Sequence, residues 1–187
     1  MDREEYRINK KIETEGRPLA DKYYMEHGIN DFLKHFLKRN AKRKVVGIVR
    51  NDSYAMQGIC KLDVQLKFET GDPVVLDEKF DHKCWDTTNV YIEIINSYGE
   101  YSWGANIGKN IAYVILNSDR TDIIDLIVFQ VTAKFTSIFN LKNGLYAISK
   151  EGKKRGLVVP KEHLKKFSVN RLEPPISCEK ATIDPWL

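Results

Sequence analysis

Residues 61–80, KLDVQLKFETGDPVVLDEKF, constrain the fold more than any other stretch of the chain. Lys61, Asp63, Gln65 and Lys67 alternate with Leu62, Val64, Leu66 and Phe68, a period of two that gives a β-strand one polar and one apolar face. Glu69 to Asp72 supply a turn in which Gly71 is free to take positive φ, and Pro73 is tolerated at a strand start. The second strand, Val74 to Phe80, sets Val74, Leu76 and Phe80 on one face and Val75, Asp77 and Lys79 on the other. If the loop is odd and centred on Thr70, Asp63 falls directly across from Asp77, with Cβ atoms roughly 4.5–5.5 Å apart. Like charges so placed destabilise a sheet. Two facing carboxylates with a lysine two residues on therefore ask for a cation between them; the plainer alternative is a cross-strand salt-bridge set on an exposed sheet face.

The 187 residues suffice for one medium domain with a core of its own. The economical division is a single α/β domain over 1–187, with helices in 1–40, a core over 45–170 and an extended tail at 171–187. A 42% hydrophobic and 30% charged composition is that of a soluble globular protein. The net charge of +4 is mild, but the basic residues cluster: Lys38, Arg39, Lys42, Arg43 and Lys44 in one group, Lys153, Lys154 and Arg155 in another, with Lys161, Lys165 and Lys166 close behind. Such clusters suit phosphate backbones, and they equally suit solvated faces of helices and loops. Three cysteines, Cys60, Cys84 and Cys178, are too few and scattered for a disulfide framework, which fits a reducing compartment. His82 and Cys84 begin a zinc pattern that no second close pair completes. No apolar run approaches the ~20 residues of a membrane span, and the charged N-terminus lacks a signal-peptide core. The expected address is cytoplasmic.

Taken in order, residues 2–15 are charged without a clear apolar stripe, a weak helix or a loose arm. Pro18 suits a first helical position, with Leu19, Tyr23 and Tyr24 as the buried face of a helix that Gly28 ends. Asn30 can cap a second helix carrying Phe32, Leu33, Phe36 and Leu37. Val45–Val49 is the first expected strand, Asn51–Gly58 a polar loop, and Val90–Ile95 a strand whose Glu93 faces away from Val90, Ile92 and Ile94. Residues 97–109 form a structured loop, followed by a strand from Ile111 to Leu116. Residues 122–140 are ambiguous, starting strand-like and ending with Val131, Phe135 and Phe139 at helical spacing. Late strands are expected at Leu145–Ser149 and Leu157–Val159, and a short helix at Lys161–Phe167.

Asp63 followed by Asp77-Glu78-Lys79 on the next strand resembles the signature of the PD-(D/E)xK nuclease superfamily. Further along, NVYIEIIN, the Ser102-Trp103-Gly104 loop and the strand IAYVI are similar to a small bacterial and phage-type branch of that family. The resemblance covers about residues 55–117, roughly a third of the chain, and the VVPKEHL element at 158–164 fits loosely. It implies a restriction-endonuclease-like mixed β-sheet flanked by helices. It also implies a Mg²⁺- or Mn²⁺-dependent endonuclease acting on nucleic acid, with DNA ahead of RNA. Asp63 and Asp77 become metal ligands, the Glu78 carbonyl a further one, Lys79 the residue that serves the attacking water, and Glu93 a candidate third acid. Lys42, Arg43, Lys44, Lys153, Lys154 and Arg155 become candidate phosphate contacts. Where relatives carry Gly-Ile-Asp this chain has Gly58-Ile59-Cys60. Either Asp63, three residues later, takes the ligand's place, or the site is silent and the chain binds nucleic acid without cutting it. An interaction protein with no nucleic-acid role is the third alternative, and a homodimer is left open.

Overall fold

The structure, a computed structural model, describes residues 3–35, 43–51, 63–82 and 87–168. In chain order its first elements are helices α1 (Arg3–His27) and α2 (Asn30–His35), then strands β1 (Val45–Arg50), β2 (Val64–Phe68), β3 (Val74–Asp81) and β4 (Asn89–Ile95). A single 3-10 turn at Trp103–Ala105 precedes β5 (Asn110–Leu116) and β6 (Ile123–Gln130). Helix α3 (Ala133–Ile138), strands β7 (Ala147–Glu151) and β8 (Lys154–Pro160) and helix α4 (Lys161–Ser168) complete the series. Two compact units emerge, both discontinuous in sequence: Met1–Trp85 with Asn110–Phe129, and Asp86–Lys109 with Gln130–Leu187. Lys38, Arg39, Lys42, Gln57, Gly58-Ile59-Cys60, Cys84, Trp85, Cys178 and the tail at 171–187 lie outside the described residues.

The first unit holds a mixed five-stranded sheet in the order β1-β2-β3-β5-β6. β1, β2 and β3 are consecutive antiparallel neighbours, and β5 runs parallel to β3. The apolar face set by period two in β2 and β3 packs with α1 and α2. Val64, Leu66, Val74 and Leu76 bury there with Ala112, Val114 and Leu116 of β5 and with Ile12, Tyr24, Phe32 and Leu33.

Helix α1 takes the helical of the two alternatives for residues 2–15 and corrects the start at Pro18: it is one helix from Arg3 to His27. Its buried stripe is Ile12, Gly16, Ala20 and Tyr24, spaced four apart on one face. Gly16 is small because the sheet comes close: a Cβ there would stand 2.5 Å from Cδ1 of Phe80. Pro18 lies on the exposed side. Asn30 also departs from expectation. It is the first residue of α2, and its Oδ1 accepts from the Arg43 N–H at 2.8 Å, tying the start of α2 to the entry of β1.

The second unit holds a three-stranded antiparallel sheet in the order β4-β8-β7. Val90 and Ile92 stand opposite Val159 and Leu157, and all four are buried. The ambiguous stretch resolves into β6 followed by α3, which Thr132 caps by accepting from the Phe135 N–H at 3.1 Å. Phe135 and Phe139 of that segment pack with Phe167 of α4, ring centroids 5.1 and 6.0 Å apart. The expected structured loop is present, with Trp103 buried and Gly104 pressed against the backbone of Glu93. The protein is thus mixed α/β, with a second sheet in addition to the expected mixed one. No helix among the described residues is long and apolar enough to cross a membrane.

Candidate functional site

The β2–β3 register decides what the acids can do. Val64 faces Leu76, Gln65 faces Val75 and Leu66 faces Val74. One rung further, the same register sets Asp63 opposite Asp77, as an odd loop about Thr70 requires. Gly71 in that loop adopts φ +83°. The Asp63 N–H donates to the Leu76 carbonyl at 3.4 Å, and Asp63 Oδ2 accepts from the Glu78 N–H at 2.9 Å. The side chain of Asp63 thereby takes over from the backbone where the ladder ends. In β3 the alternation puts Asp77 and Lys79 on one side, and Lys79 Nζ donates to Asp77 Oδ1. The three side chains meet.

Among the described residues, Asp77 and Glu78 are the two buried charged side chains, 8% and 6% exposed. Asp63 is half-buried, and its carboxyl is pushed up to about 7. Burial contributes most, followed by a hydrogen bond shared with Asp77; the charge of Asp77 adds to both. The Lys79 ammonium and the Glu78 N–H pull the other way without prevailing. Below about pH 7 Asp63 therefore keeps its proton, in a hydrogen bond with Asp77.

Glu78 faces the opposite way and is held independently. Tyr24 Oη of α1 donates to its Oε1 at 3.0 Å, and Arg50 at the end of β1 donates to both of its carboxylate oxygens. Arg50 also donates to Asp21 of α1 at 2.7 Å and to the Arg17 carbonyl at 3.2 Å. Burial opposes the Arg50 charge, but these hydrogen bonds and the charges of Glu78 and Asp21 outweigh it and hold the guanidinium cationic. Burial first, then the Glu78 charge, pushes the Tyr24 phenol well up. The Glu78 carboxylate is thus committed to structure. Its carbonyl leaves the strand on the same edge as its N–H, the edge Asp63 occupies.

Glu93 lies in the second unit, where Ser102 Oγ donates to it and Lys154 Nζ stands 3.3 Å away. Among the basic candidates, the Arg43 guanidinium lies against Gly71, in the space a Cβ would fill, and Lys44 is exposed. Lys153 is exposed at the β7–β8 turn, with Lys154 and Arg155 half-buried beside it. Two neighbours of the site escaped the sequence reading: Asp81, which continues the polar face of β3, and Tyr113, whose Oη donates to Asp81 Oδ2 at 2.6 Å. Period two carried one step past Phe80 would have found Asp81. Tyr113 needed the parallel pairing that sets it opposite Lys79. Among the described residues, no group of three or more His, Cys, Asp or Glu side chains is placed to hold a metal ion. What the site offers is two carboxylates and a strand-edge carbonyl. That donor set fits Mg²⁺, which keeps most of its waters and takes one or two carboxylates. No family model, curated protein or solved structure matches the chain.

Proposed function

We propose that this protein is a metal-dependent nuclease of the PD-(D/E)xK, restriction-endonuclease-like kind, hydrolysing DNA phosphodiester bonds with Mg²⁺ or Mn²⁺. One observation carries the reading: Asp63 and Asp77 face each other at the end of a strand pair, and Lys79 is bonded to Asp77 at their side. The mixed sheet, with β5 parallel to β3 and α1 on one face, is in keeping with it.

Asp63, Asp77 and the Glu78 carbonyl would hold the cation. Once bound, it neutralises phosphoryl oxygens and lowers the pKa of a water molecule. The chain's own residues do the rest. Asp63 gives up its proton. Lys79 keeps its ammonium beside Asp77 and has further N–H groups to orient the attacking water or to stabilise developing charge on oxygen. Arg50 and Tyr24 fix Glu78, so β3 cannot turn over and carry Asp77 and Lys79 away.

Nicking of supercoiled plasmid tests the proposal. Cleavage should require Mg²⁺ or Mn²⁺, vanish in EDTA and in Asp77→Ala, and fall roughly 10²-fold or more in Lys79→Ala. The ion pair between Lys79 and Asp77 favours a second reading, because it already neutralises one acid without a metal: a nucleic-acid-binding protein on the same fold with a silent site. Salt-dependent DNA binding without cleavage in any divalent cation would select that reading.

A further inference from the structure

The second unit carries an exposed surface remote in sequence from the acid pair. Tyr98 and Tyr101 are 71% and 76% exposed, on a loop that is nonetheless braced. Asn96 Oδ1 accepts from the N–H groups of Tyr98 and Glu100 at 2.9 and 3.0 Å, and Tyr101 bridges to Ile95. Ile95 stands opposite Arg155, and Arg155 opposite Lys150. One row of backbone partners thus runs Tyr101, Ile95, Arg155, Lys150 across strands about 4.8 Å apart, with β4 bulged between Glu93 and Ile95. Lys153 closes the group, its Cδ 3.8 Å from where a Cβ on Gly99 would stand, so its stem lies against the loop between the two tyrosines. Arg155 is steadied by its own turn, Nη1 donating to the Lys154 carbonyl at 2.7 Å. Of the acids nearby, Glu93 is matched by Lys154. Lys150, Lys153 and Arg155 then outnumber Glu100 and Glu151.

We propose that this face binds a single-stranded stretch of nucleic acid, with bases stacked on Tyr98 and Tyr101 and phosphates drawn to Lys150, Lys153 and Arg155. An unpaired strand presents flat π-faces and one negative charge per nucleotide, and aromatic rings interleaved with cations match both. A duplex hides those faces. Tyrosine and arginine are common at protein–protein interfaces too, but lysine is depleted there, so Lys150 and Lys153 are what weigh toward a phosphate backbone. The inference rests on the nucleic-acid reading of the first unit for its substrate class and adds the form of the substrate.

The test is binding, in EDTA, of the full chain to a labelled oligothymidylate and to a duplex of equal length. The oligothymidylate should bind more tightly. Tyr98→Ala with Tyr101→Ala should weaken it roughly tenfold or more, while Tyr98→Phe with Tyr101→Phe retains it. Lys153→Gln should flatten the slope of log affinity against log salt by roughly 0.7, the loss of one phosphate contact. Equal binding by the double alanine variant, tighter binding of the duplex, or no binding of the oligothymidylate would overturn the proposal. Tyrosine-dependent binding with no Mg²⁺- or Mn²⁺-dependent cleavage of either plasmid or oligothymidylate would sink the nuclease reading alone; cleavage without a tyrosine effect on binding would sink this platform alone.

Discussion

Asp63 stands where a strand stops and uses its carboxylate to finish the hydrogen bonding. Its raised carboxyl, about 7 against an ordinary 3.8, means that the folded chain holds this proton more tightly than the unfolded one. Between about pH 4 and pH 7 the unfolded state has lost the proton and the folded state has kept it, so this group's contribution to stability falls as pH rises through that window and levels off above it. Urea unfolding of the metal-free protein should show that slope, and Asp63→Asn should remove it; an unchanged slope would place the raised carboxyl elsewhere. At pH 8, added Mg²⁺ should stabilise the parent by mass action and leave Asp63→Asn unmoved. Glu78 supports a separate prediction. With its side chain 1% exposed beside an Arg50 side chain 13% exposed, Glu78→Gln leaves a buried guanidinium short of its main counter-charge. Denaturant titration should register a loss of about 3–5 kcal/mol, and a loss under 1 kcal/mol would show that Asp21 alone suffices.

The strand pair was legible at the scale of elements because period two allows only registers that bury Val64, Leu66, Val74 and Leu76 together, and a loop centred on Thr70 picks the observed one among them. Helix α1 was half legible. Hydrophobic bulk is what a sequence displays, and a stripe of Ile12, Gly16, Ala20 and Tyr24 shows bulk at only two of its four positions. Close approach to the sheet selects the small residues, and that approach cannot be seen until the sheet exists. Gly16→Val therefore tests the packing: its side chain would meet Phe80 and Leu116, overpacking that costs about 1–3 kcal/mol. A lowered denaturation midpoint is expected. An unaltered midpoint would mean that α1 sits further from the sheet than described.

The division of the whole molecule was illegible for a related reason. The chain changes unit at 85/86, between β3 and β4, at 109/110, where β5 begins, and at 129/130, within β6, rather than in any Gly-, Pro- or Ser-rich linker. A parallel pair such as β3 and β5 needs a long connection, and here that connection contributes β4 to the other sheet. Local composition does not record which sheet a strand joins. The same partition puts Glu93 in a different unit from Asp63, Asp77 and Lys79, although all four fall within one run of the sequence. What the account requires of the first unit is a cation between two particular aspartates. Anomalous scattering from crystals soaked in Mn²⁺ measures this directly. A peak about 2 Å from carboxylate oxygens of both Asp63 and Asp77 is expected. No peak there at saturating Mn²⁺, with Lys79 still bonded to Asp77, would contradict it.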